Sequence, residues 1–307
     1  MIDLQNPIYN DDNKAREHLE NLRWAQGAVC PHCGTVGNST LMKGKSTRPG
    51  VHKCKDCRKP FSVTVGTLFE RSHISLSKWL LAVHLLSSSK KGMSSHQLHR
   101  MLGVTYKTAW FMSHRIREAM KPINPSPLGG EGRTVEADET YVGGLEKNKH
   151  KKDRLKAGRG PVGKEAVFSL VERGGKVRST HVPAVNAQTL RPIMNEQLHA
   201  DTRLITDDAS VYGPIGKDFS EHHSVAHSIG EYVRGDTYTN TIENYFSIFK
   251  RGIKGVYQHC SKEHLKRYLA EFDFRYNSRD IEDWERANAA LKGIEGKRLT
   301  YRRIDQH

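Results

Sequence analysis

RTVEADETYVGG (residues 133–144) is a run of apolar and β-branched residues that carries three acids and stops at a glycine pair. Its alternation predicts a strand, with Glu136 and Asp138 on one face and Glu139 on the other. Working outward, residues 166–172 and 176–182 form a predicted hairpin about Gly174-Gly175, followed by a helix near 187–198. RLITDDASVY (residues 203–212) supplies a strand over 202–206 that ends at Asp207-Asp208, and residues 222–227 supply another. Between those two strands, Gly213, Pro214 and Gly216 leave room only for a short helix or turn. Two long helices, over 240–254 and 262–276, close the series.

Three strands, a helix, two strands and closing helices give the element order of an RNase H-like α/β fold, a mixed sheet with flanking helices. In the helix over 241–254, Ile242, Tyr245, Phe246, Phe249 and Ile253 face a core. The neighbouring stripe is Glu243, Ser247, Lys250 and Lys254, one acid followed by a basic rail. Three separated carboxylates, Asp138, Asp207 and Glu243, would meet at strand ends and a helix start. Such a trio can hold two Mg2+ or Mn2+ ions, which stabilise the attacking and leaving oxygens of an in-line phosphoryl displacement. Lys250, two turns beyond Glu243, is placed to hold the phosphate backbone beside the scissile bond. Each acid also has a structural reading. Glu243 fits a capping box with Asn240, Asp207 or Asp208 fits a turn, and Asp138 fits a paired strand carboxylate.

Upstream, Cys30-Pro-His-Cys33 and Cys54-Lys-Asp-Cys57 are two C-x-x-C knuckles. Two residues between thiolates let both sulfurs reach one ion, and two knuckles complete a tetrahedral S4 shell for structural Zn2+, one per chain. Cys260 stands apart and reads as a small apolar residue. Residues 16–24 form a predicted helix, and Leu76, Trp79, Leu80 and Val83 mark another. Ser94 and Gln97 open a short helix that Gly103 stops, and Thr105 caps a third over 106–120. Helix, glycine turn, helix is the helix-turn-helix pattern. Its last helix would keep Ala109, Met112, Ile116 and Met120 inward and turn Lys107, His114, Arg115 and Arg117 outward to DNA. The expected layout is a helical lead-in (1–28), a zinc ribbon (29–66), a helical DNA-binding unit (70–121) and a Pro/Gly-rich linker (122–132). A catalytic domain (133–280) and a basic tail (281–307) follow. The loop over 147–164 holds eight Lys/Arg and one Asp. It is expected to be unstructured without ligand, and to touch DNA phosphates through Lys151, Lys152 and Arg154. His222, His223 and His227 cluster near the last strand; they are read as packing or substrate-bonding groups, with no role given to His227.

VEADETYVGG, ITDDASVYG and the block over 225–279, with its Thr-Asn-Thr-Ile-Glu to Lys-Arg-Gly core, resemble bacterial insertion-sequence DDE transposases of the 1595 type, which carry a zinc ribbon. The resemblance runs over nearly the whole chain, down to the closing GKRLTYR. It implies DNA strand cleavage and strand transfer by an RNase H-like domain using divalent metal, with Asp138, Asp207 and Glu243 as triad and Lys250 as the basic residue. It also implies at least a dimer on double-stranded DNA, engaging element ends and target.

Composition agrees. The 307 residues carry 49 Lys+Arg against 34 Asp+Glu, a net charge of +15, and such an excess suits a polyanionic partner. No run approaches the ~18 apolar residues of a membrane helix. The N-terminus has neither a basic leader nor an apolar core, so the expected location is the cytoplasm, on the nucleoid. Two other functions fit part of the pattern: a DNA-binding regulator built on the ribbon and helix-turn-helix, and an RNase H-like nuclease that never joins ends. The cysteine spacing makes a direct prediction. Elemental analysis of the purified chain should find one zinc; a metal-free protein with four free thiols in the knuckles would contradict it.

Overall fold

The computed structural model describes residues 4–144, 146–155 and 161–300. Residues 156–160 of the basic loop and 301–307 of the C-terminal stretch lie outside the described residues. The chain divides into two compact units, Met1–Lys121 with Asp280–His307, and Pro122–Arg279.

In the first unit, α1 (Asp12–Arg23) starts on Asp11, whose carboxylate accepts the amides of Asn13 and Lys14. Strands β1 (Ser39–Leu41), β2 (His52–Cys54) and β3 (Pro60–Phe61) form a small antiparallel sheet in that order. Helix α2 (Leu76–Ser88) buries Trp79, Leu80, Val83 and Leu86. Ser94 caps α3 (Ser95–Leu102) by accepting the Gln97 amide, and Thr105 caps α4 (Tyr106–Ala119) by accepting the Thr108 amide. Between these helices Gly103 adopts φ 61°, a left-handed stop that only glycine adopts without steric cost.

The second unit is built on β4 (Thr134–Val142), β5 (Glu165–Glu172), β6 (Val177–Val182), α5 (Ala187–Gln197), β7 (Arg203–Asp207), α6 (Tyr212–Gly216) and β8 (Glu221–Val225). The short pair β9 (Val233–Arg234) and β10 (Thr237–Tyr238) leads into α7 (Asn240–Gly252), which runs on through a π-turn (Ile253–Tyr257) to α8 (Lys262–Asn277). The five-stranded sheet has the order β6-β5-β4-β7-β8, antiparallel among the first three and parallel from β4 outward. This is the mixed α/β sheet that the element order predicts.

Strand alternation sends each face of the sheet to a different set of helices. Val135 and Ala137 of β4 join Phe168, Leu170, Leu190, Met194 and Tyr212 on the α5–α6 side. Val142, Val167 and Val171 join Ile242, Phe246, Phe249 and Leu269 on the α7–α8 side. The expected linker is only partly one, because Leu128 is buried in the first of these clusters and pairs with Leu198. The expected tail likewise contains a helix, α9 (Asp283–Lys292), which packs on α2 and α4. Those neighbours overturn part of the DNA-facing expectation for α4. His114 and Arg117 are each 1 % exposed, Arg117 donates to Ser113 Oγ at 3.0 Å, and the His114 ring packs on Trp110. A helix covered by α2, α3 and α9 buries far more than one stripe. Lys107 remains exposed and Arg115 half-buried.

One acid in β4 is fully buried. Glu136 receives Arg173 Nε at 2.7 Å, Thr241 Oγ1 at 2.9 Å and the Ile242 amide at 2.9 Å. Arg173 in turn donates to the carbonyls of Asp236 and Tyr238, both at 2.7 Å, and stacks over the Tyr238 ring at 3.6 Å. The pair thus fastens the first turn of α7 and its approach segment to the central strand. Removing one partner of a buried pair strands the other charge, so Glu136→Ala should cost about 3–5 kcal/mol in urea unfolding. A loss below 1 kcal/mol would show that water takes over the role of the carboxylate.

Candidate active site

Asp138 and Asp207 are brought together by register. Strands β4 and β7 are parallel, with Val135 opposite Leu204 and Glu136 opposite Ile205. Two residues further along, the same offset sets Asp138, midway along β4, beside Asp207, the last residue of β7, on strands about 4.8 Å apart. Both are half-buried. Asp138 lies on the face that α7 covers, and Glu243 lies in the first turn of α7. The charges of Asp207 and Glu243 both act on Asp138.

The electrostatics of this corner are one-sided. Burial, followed by the negative charges of Glu139, Asp207 and Glu243, pushes the Asp138 carboxyl up to about 7, against a donated Glu139 amide at 2.7 Å. The side chain of Glu139 does turn to the α6 face, where its carboxylate accepts Tyr212 Oη at 2.6 Å. Its charge still reaches Asp207 and Asp138, and burial raises its own pKa. It is therefore no neutral bystander to the trio. Asp207 accepts the Ala209 amide at 3.1 Å, a local turn that holds its carboxylate, while Asp208 is exposed.

Glu243 does not form the expected capping box. The helix starts after Thr239, its Ile242 amide goes to Glu136, and among the described residues Glu243 accepts Thr239 Oγ1 at 3.3 Å. His227 Nε2 stands 3.7 Å from Glu243, so this histidine, given no role from sequence, borders the trio. Its two companions go elsewhere: His222 meets Thr206 Oγ1 at 3.0 Å and His223 meets Glu221 at 3.2 Å. Lys250 is exposed on α7 beyond Glu243. Lys254 is also exposed but lies in the π-turn, where the α-helical stripe no longer holds its period. In the basic loop, Lys151 and Lys152 form a single 3-10 turn, and Arg154 Nε donates to the Lys149 carbonyl at 2.9 Å. All three are exposed. The described part of the loop is thus locally folded, with Glu146 gathering Lys149 and the Leu155 amide.

The pairing of Glu136 with Arg173 was missed from sequence. The available signal was an acid sharing parity with Asp138 inside an otherwise apolar strand, which needs a buried partner.

The second centre is the cysteine cluster. The ligand atoms of Cys30, Cys33, Cys54 and Cys57 lie within 4.8 Å of one another, the sole such metal-capable group among the described residues. Cys30–Cys57 and Cys33–Cys54 sulfurs are each 3.6 Å apart, close to the ~3.8 Å edge of a tetrahedron with 2.3 Å Zn–S bonds. Hydrogen bonding to Thr35 draws the Cys33 thiol down to about 6, toward the thiolate that binds metal. The donors fit structural zinc. The carboxylate trio is more open than this, and its acids would have to close in around a bound ion.

Residues 127–277 match the ISXO2-like transposase domain, and residues 10–60 match the transposase zinc-ribbon domain. A protein of transposable element ISH50 from Halobacterium salinarum is 31% identical over 277 residues, spanning 86% of this chain and 90% of that protein. A transposase-like protein from Haemophilus influenzae is 30% identical over 106 residues, 34% of this chain and 85% of its own length. Among solved structures, a chain of the Mos1 strand transfer complex aligns with 69% of this chain and 75% of its own, at 14% identity and a TM-score of 0.27.

The raised Asp138 value has a defined sign. A carboxyl whose native value lies near 7 and whose ordinary value is 3.8 weakens the fold as pH rises through that window, because above it the native state must hold a charge it disfavours. Without Mg2+ or Mn2+, Asp138→Asn should therefore be more stable than the parent at pH 8, by about 2–4 kcal/mol, and no more stable at pH 4. Denaturant melts that show no pH-dependent gain would contradict this.

Proposed function

Because the chain belongs to the insertion-sequence 1595 family of DDE transposases, we propose that it binds the ends of its own element as double-stranded DNA and carries out metal-dependent strand cleavage followed by strand transfer. The observation that carries this reading is the corner at Asp138, where parallel register sets Asp207 beside it and the negative charges of Glu139, Asp207 and Glu243 act on its carboxyl. Carboxylates gathered in this way favour a divalent ion as partner, and an all-oxygen donor set suits Mg2+ or Mn2+. Asp138, Asp207 and Glu243 would hold two such ions. When bound, the ions would stabilise the attacking and leaving oxygens of a phosphoryl displacement.

The protein's own contribution is position and charge. Parallel register sets two acids side by side on adjacent strands, and the Glu136–Arg173 pair holds the helix start that carries the third. Lys250, with Lys254 beyond it, would steady the phosphate backbone leading into the site, and Lys151, Lys152 and Arg154 would add contacts from the basic loop. The zinc ribbon (29–66) and helical unit (70–121) would recognise the element ends, with exposed Lys107 and half-buried Arg115 as contacts from α4. Joining two ends calls for at least two copies on DNA. No helix among the described residues is long and apolar enough to cross a membrane, in keeping with work on the nucleoid.

Asp138→Ala, Asp207→Ala and Glu243→Ala should each lower Mg2+- or Mn2+-dependent nicking of end-containing DNA by at least about 10³-fold while DNA binding persists. Glu243→Gln is the sharper variant. Since Glu136 holds the amide at this helix start, the amide side chain should leave the melting temperature unchanged and still abolish cutting. Asp208→Ala should stay active. A Glu243→Gln protein that cuts at a near-normal rate would remove Glu243 from the chemistry. Cutting without joining would favour a plain nuclease.

A further inference from the structure

Within the first unit, the segment after β3, helix α4 and the C-terminal stretch up to Thr300 enclose a cavity of about 270 Å³. Phe111 and Leu299 supply apolar wall, and three arginines line it, Arg71, Arg115 and Arg298, against the single carboxylate of Glu70. The acid does not cancel them. One Glu70 oxygen accepts the Gly66 amide at 2.9 Å, and the other stands 3.7 Å from the Nε of Arg71, whose side chain is 80 % exposed.

Arg115 is held in place by two contacts. Its Nε donates to the Leu299 carbonyl at 3.2 Å, and its guanidinium lies 4.7 Å over the Phe111 ring. Burial, and then the charge of Arg298, lower its pKa, so two like charges share a partly desolvated wall. Arg71 keeps φ at 56°, a left-handed conformation uncommon for a side chain of its size. Among the described residues that line the cleft, three guanidinium groups face one carboxylate, which leaves it net positive. Guanidinium forks match the oxygens of a phosphate, and a phosphate seat of this kind fixes register on a duplex rather than reading bases.

We propose that this cleft seats one backbone phosphate of double-stranded DNA, gripped by Arg115 and Arg298 with Arg71 at the rim. The assignment rests on the DNA-binding function proposed above. It also gives Arg115 a role different from base reading by an outward helix face.

The test uses the full-length zinc-bearing chain and a labelled duplex of about 30 base pairs, with affinity measured from roughly 50 to 200 mM salt. Arg298 is exposed, so Arg298→Ala should keep the parent melting temperature. It should weaken binding roughly three- to tenfold and flatten the log–log salt slope by about 0.9, the share of one phosphate. Arg298→Lys, which keeps the charge, should restore most of the slope. Arg298→Ala with parent affinity and slope would overturn the proposal. Inorganic phosphate as probe separates the two sources of the anion. If about 10 mM phosphate raises the melting temperature of the parent but not of Arg298→Ala, while the DNA slope of the variant is unchanged, the cleft takes a free anion and the DNA seat is refuted. A parent protein that binds no duplex at all would refute the DNA-binding reading itself; steep parent binding with an unaltered variant would refute the cleft alone.

Discussion

The buried carboxylate of Glu136 is the interaction on which the corner around Asp138 depends. A charge removed from water needs full compensation, and Glu136 obtains it from one guanidinium, one hydroxyl and one backbone amide. Two of those donors belong to the first turn of α7. The central strand therefore holds the start of this helix directly, through hydrogen bonds that demand a defined geometry as well as through apolar packing. Arg173 extends the hold to the carbonyls of Asp236 and Tyr238, just ahead of the helix. Glu243 inherits its place from this arrangement, in the turn whose amide Glu136 has already satisfied.

This division of labour separates a structural acid, Glu136, from Asp138, proposed to hold metal, only two residues away. Glu136 is neutralised by protein groups, whereas the field at Asp138 is left negative. Such a corner weakens the fold at neutral pH and above, and a cation that binds the native state alone returns that stability. The apolar clusters on both sheet faces can carry the penalty. Phe168, Phe249, Leu190 and Met194 are each no more than 1 % exposed, and truncating one such side chain typically costs 2–5 kcal/mol.

The order of strands and helices in the second unit was legible from alternation and from turn residues, and so were the short α6 and the caps of α3 and α4. These features are local, set by a few neighbouring side chains. What was not legible depends on tertiary neighbours. His114 and Arg117 read as outward because one helix face was already apolar, but α9, distant in sequence, covers further sides of α4. The capping-box reading of Glu243 failed because the helix starts one residue earlier, after Thr239, so Glu243 lies past the third helical position, whose Ile242 amide goes to an acid a hundred residues upstream. His227 gained its neighbour Glu243 only through the approach of α7 to the sheet. The pairing of Asp138 with Asp207 follows from parallel register, which sequence alternation alone does not fix.

The proposed chemistry requires that Asp138, Asp207 and Glu243 together hold divalent metal. Anomalous X-ray diffraction from crystals of the full chain soaked in Mn2+ tests it most directly. Mn2+ peaks should lie between the carboxylates of Asp138, Asp207 and Glu243, with Glu243 drawn away from His227 and Glu136 still bonded to the Ile242 amide. Well-ordered carboxylates with no Mn2+ peak among them, or Mn2+ bound only elsewhere on the chain, would contradict the account.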